Sequence, residues 1–406
     1  MITLFLGSCG REESVSYSFT RTDSTKIDES KVVLTRFPSG LKEINDSIAG
    51  MVTNQHQIGL YNLNSGQNIL NFNTKNINFD SLIKETYQKR YSGKRIYTYD
   101  SLTAGGLSGG NSQVLGFFPT EDMFYIYVNT LTDVNYSADA DQMKKLENDP
   151  QIKELIAANG NFEMIVQDYL EFIFVTDQQF HIIKVLPMYL QENLTSKNYS
   201  WFFQKNFVIE NNTLYVPLIN DSFITGTAKT EENKSPEKYS VAKLKLNNSE
   251  AAEPKLNYSQ IDFSGFSTND FISSCCVFRK SAEELLFCNG KEVVSVEKGG
   301  KRFQRKSLAE NEWIQDFNIG KDKRLVFITY CKYKKKQPNE IEIQYNIDSI
   351  ADINIKVYDI NTGLWLSKKQ LTGKENILYQ PEKEHILCIE KGKENYYFKR
   401  IYYYEK

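Results

Sequence analysis

The stretch Ile58-Gly59-Leu60-Tyr61-Asn62-Leu63-Asn64-Ser65-Gly66 decides the fold, because its pattern returns without a gap as Ile355-Lys356-Val357-Tyr358-Asp359-Ile360-Asn361-Thr362-Gly363. Both copies read as a strand, then Asn or Asp, an apolar residue, Asn, a hydroxyl residue and Gly. Small polar side chains suit a tight turn and the closing Gly supplies positive φ, so each copy is one hairpin of a repeated antiparallel unit. The copies start 297 residues apart, at 58 and 355. That distance divides into six intervals of about 50 residues or five of about 60, sizes that fit the blades of a β-propeller.

Outward from the two copies the grammar is the same. Short alternating or apolar runs, rich in β-branched and aromatic residues, are separated by Asn, Asp, Gly and Ser, which is strand chemistry. Such runs lie at 31–37, 57–63, 69–73, 95–99, 113–118, 123–129, 170–176, 181–186, 206–210, 213–218, 239–246, 259–263, 284–288, 292–297, 323–330, 353–359, 385–390 and 396–404. Asn289-Gly290 and Asn211-Asn212 are two-residue hairpin signals between apolar runs. One stretch reads as helix: Met143, Leu146, Ile152, Leu155 and Ile156 have helical spacing, split by Pro150, which predicts a short helical insertion near 138–158. The fold expected is all-β: a propeller of six blades, with seven as the alternative. Residues 31–406 form its single domain and the tyrosine-rich end, Tyr396 to Tyr404, is its closing strand.

Composition limits the function classes. The 49 Lys and Arg nearly balance 51 Asp and Glu, for a formal net charge of −2, so no field selects nucleic acid. Aromatics make up 13% of the chain, with 25 Tyr and 25 Phe against three His, a balance that favours β structure over a histidine-rich metal centre. No Cys-x-x-Cys or paired Cys/His spacing occurs, so neither a metal nor a cofactor is expected.

The amino terminus reads as an address. Residues 1–9 are an apolar stretch ending in Leu6-Gly7-Ser8-Cys9, followed by the polar Gly10-Arg11-Glu12-Glu13-Ser14. Leu6 to Cys9 resembles a bacterial lipobox, in which the signal is cut before an acylated Cys. The apolar part is shorter than the ~15–30 residues of a complete secretory signal. Residues 1–30 are therefore expected to be a truncated signal, lipobox and tether, with Cys9 lipidated. Cys275, Cys276, Cys288, Cys331 and Cys388 remain. Small buried hydrophobes are expected there, with a Cys275-Cys276 or Cys288 bridge as the alternative.

The motifs that suggest chemistry lack its context. Ala104 to Asn111 contains Gly-x-Ser-x-Gly around Ser108, but a strand-like run follows where a nucleophile elbow needs a helix. Asp139, Asp141 and Glu147 fail the EF-hand pattern because Met143 and Lys144 occupy ligand and glycine places. His56, His181 and His385 have no acid read at base or ligand spacing. Glu121, Asp122, Asp168, Glu171 and Asp177 are carboxylates that sequence alone does not pair, and Lys332 to Lys336 is a basic run expected to be a solvated loop.

Taken together, the lipobox, the length and the repeated hairpin resemble the domain-of-unknown-function family of Bacteroidetes lipoproteins with a TolB-like β-propeller. The resemblance spans nearly the whole chain and brings a fold and an address, with no catalytic residues. It implies an outer-membrane lipoprotein, periplasmic or surface-exposed, held to the membrane by an acyl anchor. A binding or scaffolding role toward a glycan or partner protein is expected. The alternative is a carbohydrate-active hydrolase or lyase with acidic residues at the propeller mouth. Converging carboxylates or a His at that mouth would favour catalysis, and an apolar or aromatic mouth would favour binding.

Overall fold

Antiparallel meanders follow one another along the chain in the computed structural model, which describes residues 17–28, 39–79, 81–82, 97–98, 112–137, 163–188, 199–201, 208–210, 213–220, 239–245, 257–260, 275–279, 284–289, 293–297, 312–319, 325–332, 350–359, 364–371, 376–382 and 384–405. Strand β1 (Tyr17–Lys26) comes first and is used last. The first sheet is β2 (Ser39–Asn45), β3 (Ile48–Asn54), β4 (Gln57–Asn62) and β5 (Asn68–Asn73). The second contains β6 (Tyr97–Thr98), β7 (Ser112–Pro119), β8 (Phe124–Ser137), β9 (Glu163–Thr176) and β10 (Ile182–Met188). The third contains β11 (Tyr199–Trp201), β12 (Val208–Glu210), β13 (Thr213–Asn220), β14 (Tyr239–Lys245) and β15 (Asn257–Gln260). The fourth is β16 (Cys275–Arg279), β17 (Glu284–Asn289) and β18 (Val293–Glu297). The fifth is β19 (Glu312–Ile319), β20 (Leu325–Lys332), β21 (Ile350–Asp359) and β22 (Leu364–Leu371). The last joins β23 (Asn376–Pro381), β24 (His385–Lys391) and β25 (Tyr396–Glu405) to β1, which pairs with β25 from Tyr17↔Glu405 to Lys26↔Tyr397.

The fold is a β-propeller. The first strands of successive sheets touch, β12 with β16, β16 with β19 and β19 with β23, and the circle returns through β23 with β2 and β2 with β7. β1 then closes the ring by completing the last sheet with the opposite end of the chain.

The two ends of the ring are unequal. Antiparallel pairing puts each first-to-second connection at one end and each second-to-third connection at the other. The first-to-second connections have two to five residues each, whereas three second-to-third connections, 138–162, 221–238 and 333–349, are much longer. β8 and β9 also outgrow their sheet toward that second end. They pair with each other throughout, from Phe124↔Thr176 to Ser137↔Glu163, but β7 opposes β8 only as far as Thr130 and β10 opposes β9 only from Glu171. Residues 131–137 and 163–169 therefore continue beyond β7 and β10 as a ribbon for ~24 Å at ~3.4 Å per residue, with β6 pairing β8 at Asn135 and Tyr136.

The first sheet buries both faces. Against the second sheet, Val52, Ile58, Leu60 and Phe72 meet Phe117, Phe124, Phe172, Phe174 and Phe180. Gly50 is required there, since a Cβ would lie 2.3 Å from the Phe117 ring. Against the last sheet, Leu41, Ala49, Met51, Tyr61 and Leu63 meet Leu387, Ile389 and Phe398.

The decisive phrase behaves as read. Its first copy is the β4–β5 hairpin: the Asn62 side chain accepts the N–H groups of Asn64 and Ser65, and Gly66 has φ +71°. A Cβ on Gly66 would also strike the Lys26 carbonyl at 1.7 Å, so this glycine serves ring closure as well as the turn. The second copy joins β21 to β22, with its turn outside the described residues.

Several expectations need correction. The copies lie in the first and fifth sheets, four intervals apart at about 74 residues each, because the long connections make the units unequal. Residues 17–26 belong to the propeller rather than to a tether; they form the edge strand of the last sheet. Glu210↔Thr213 pair with two residues between them, as expected for Asn211-Asn212, but Cys288↔Val293 pair with four residues between them where two were expected. The helical insertion near 138–158, the glycine-rich stretch around Ser108 and Cys9 lie outside the described residues.

Candidate functional site

Where β2 of the first sheet meets the β23–β24 turn of the last, four ionisable side chains converge. Glu43 sits two residues before the end of β2, with its carboxylate between two cations or potential cations. Its Oε2 lies 2.5 Å from His385 Nε2 at the start of β24, and its Oε1 accepts from Arg400 Nη2 on β25. The Arg400 guanidinium also donates to the Asp46 carbonyl at 2.5 Å, which fixes the β2–β3 turn. Side-chain exposure of Glu43, His385 and Arg400 is 11, 12 and 13%, so water screens these contacts little. Glu382 completes the group: its Oε1 accepts the Glu43 N–H at 3.3 Å.

Local bonding holds the turn in place. The Glu382 N–H donates to the His385 carbonyl at 2.8 Å, and Tyr403 Oη donates to the Glu382 carbonyl at 2.8 Å. From the fifth sheet, Asn318 Nδ2 donates to the Pro381 carbonyl at 2.9 Å. The His385 ring stands over Tyr402, with centroids 5.0 Å apart. Burial pushes the Glu382 carboxyl up to about 7, and the adjacent Glu43 charge adds to this. Lys42, the Glu43 N–H and His385 pull the other way. The cluster thus sets the buried Glu382 carboxyl, whose proton is held more tightly than in water, beside the Glu43 side chain fixed between His385 and Arg400.

Other ionisable groups are spent on internal contacts. Lys356 on β21 reaches across β20 to the buried Glu312 on β19 at 2.5 Å, and Lys399 pairs with Glu390 on the neighbouring strand. His56, in the β3–β4 turn, has its Nδ1 2.6 Å from the Ser112 carbonyl and its Nε2 2.8 Å from Gln55, which docks the turn onto β7. Ser112 Oγ donates to Thr74 Oγ1 at 2.8 Å, so no serine nucleophile faces that imidazole. The Tyr127 phenol is raised well above its usual value by burial, the Glu171 charge and their hydrogen bond.

Two of the three histidines have acid partners that the sequence reading missed. His385 finds Glu43, 342 residues away in the chain, which no local pattern reveals. His181 finds Asp177 at 2.8 Å, a spacing of four that was visible; reading the segment as a strand start hid the turn. Asp177 works as a turn former, accepting from the Gln179 and His181 N–H groups at 2.9 and 2.8 Å while Phe180 takes φ +63°. Gln178 donates to the Glu121 carbonyl at 2.6 Å, which brings the β7–β8 and β9–β10 turns together.

A cavity of about 340 Å³ adjoins the cluster, lined by Ser24, Thr25, Leu63, Asn64, Phe398 and Arg400 among others. Arg400 is the one member of the acidic and basic cluster that borders it. Among the described residues no group of three or more His, Cys, Asp or Glu side chains could hold a metal ion, and no helix is long and apolar enough to cross a membrane. Cys276 lies opposite Cys288 in the β16–β17 register, and Cys388 is a buried free thiol.

No family model and no curated protein matches the chain. Among solved structures it is similar to virginiamycin B lyase from Staphylococcus aureus, at 9% identity and TM-score 0.37, with 95% of this chain and 99% of that one covered. A luciferin-regenerating enzyme (7% identity, TM-score 0.41) and the Pan2 WD40 domain of Neurospora crassa (6%, TM-score 0.43) each cover 94% of this chain and 95% of their own. Similarity at that level transfers no chemistry.

Proposed function

We propose that this chain is a membrane-anchored bacterial lipoprotein whose propeller binds a glycan or partner protein and catalyses no reaction at the described cluster. One observation carries the reading: the ionisable side chains that converge among the described residues are engaged in contacts that join strands or sheets. A glycoside hydrolase needs an acid and a carboxylate facing each other across a space that admits sugar and water. Here Glu43 is held between His385 and Arg400, Glu382 faces the Glu43 backbone, and the adjoining cavity reaches Arg400 alone. The unequal ends of the ring add support for binding, since the long second-to-third connections and the β8–β9 ribbon leave from one end.

Two measurements test the two halves. Metabolic palmitate labelling is expected on the wild-type protein and lost in Cys9→Ala; label that survives the substitution removes the anchor. Titration calorimetry against bacterial and host oligosaccharides, with reducing ends assayed in the same samples, tests the propeller. Binding without new reducing ends or unsaturated products is expected, and turnover abolished by Glu382→Gln would establish the hydrolase or lyase alternative.

A further inference from the structure

The ring is closed twice between its last and first sheets. Backbone hydrogen bonds between β1 and β25 complete the last sheet, and the Glu43–Glu382–His385–Arg400 cluster fastens that sheet to β2. The backbone ladder carries no titratable group; the cluster carries the buried Glu382 carboxyl against the Glu43 N–H. We infer that the cluster is a pH-sensitive latch, which holds the first and last sheets together most firmly at acid pH and loosens them as the pH rises to neutrality.

The geometry leaves little alternative for added negative charge. Glu382 is faced from β2 by Lys42 and Glu43 and from its own turn by His385, while Tyr403 on β25 donates to its carbonyl; Arg400 on β25 reaches Glu43 and the Asp46 carbonyl, and Tyr402 on β25 packs on His385. β19 contributes Asn318, which is uncharged. The Arg400 charge is already directed at Glu43 and the Asp46 carbonyl. Ionised Glu382 therefore sets a second carboxylate against Glu43 within a poorly hydrated seam.

The sign follows from linkage. Glu382 is an acid whose folded value, about 7, lies above the 4.5 it has when solvated. The closed seam therefore binds the proton more tightly than the open one, and closure weakens as pH rises from about 4.5 through 7. Between pH 5.5 and 8.5 the open fraction is expected to rise about 30-fold. The inference does not depend on what the propeller binds.

Amide hydrogen exchange of the full chain tests it, with each peptide's rate divided by its intrinsic rate at the same pH. Peptides of β2 and β23–β25 should exchange about 30-fold faster at pH 8.5 than at 5.5, while peptides of β7–β9 stay level, and Glu382→Gln should abolish the rise. A level profile for the wild-type seam, or an undiminished rise in the variant, would overturn the latch. If Glu382→Gln does not fold, the wild-type contrast between the two groups of peptides decides alone.

Discussion

The first sheet is held by two unlike interfaces. Its face toward the second sheet is a run of phenylalanines, with Phe117 set 5.3 Å from Phe124 and 6.5 Å from Phe180, and Gly50 left bare to admit the Phe117 ring. Its face toward the last sheet has an apolar floor, including Tyr61 against Phe398 at 5.7 Å, but its rim is the charged cluster. Apolar packing is non-directional and indifferent to pH, whereas charges taken from water help only while each keeps its partner. The difference teaches where this ring can be adjusted: the second-sheet interface sets how firmly the body holds, and the seam sets under what conditions it closes.

The largest effect is expected from breaking the apolar side. Phe117→Ala removes a fully buried ring at the centre of its cluster and should cost ~3–5 kcal/mol in urea unfolding, by an amount that does not change between pH 5.5 and 8.5. Glu43→Ala attacks the seam and should cost ~3 kcal/mol, because it leaves Arg400 and His385 facing each other with their shared anion gone. Its cost should vary with pH where that of Phe117→Ala stays constant; equal pH profiles for the two variants would erase the distinction. The smallest effect should come from Gly66→Ala, about 1–2 kcal/mol for a strained left-handed residue that must also withdraw from the Lys26 carbonyl. Limited proteolysis should show it as faster cutting near residues 26–28, with the β7–β9 region unaffected.

The strands were legible where a turn phrase or an apolar run announced them. Ile58 to Gly66 predicted its hairpin because Asn62 and Gly66 do the bonding and the bending locally, within one stretch of chain. β1 was missed because Tyr17 to Lys26 carries Thr, Ser, Arg and Asp on an edge that needs little burial. Repeat arithmetic failed for a related reason: equal spacing assumes equal loops, and connections such as 138–162 are not equal to those such as 46–47. The seam was illegible in principle. Glu43 meets Glu382, His385 and Arg400 only once the ring has closed, and at separations beyond 330 residues no spacing rule applies. Asp177 and His181 were legible and overlooked, since an Asp four residues before a His is an ordinary turn signature.

The pairing of β1 with β25 has a consequence for how the protein is made. Tyr17 and Glu405 are partners across almost the whole chain, 388 positions apart. At ribosomal rates of ~5–20 residues per second, β1 waits roughly 20–80 s before its partner exists. During that interval its edge is open to any other strand, and the final step of folding is a contact of nearly maximal sequence separation, the slowest kind to form. Removing β25 should therefore leave the propeller as an open arc prone to pairing with its neighbours, so that the arrival of β25, rather than any local element, commits this chain to a single closed body.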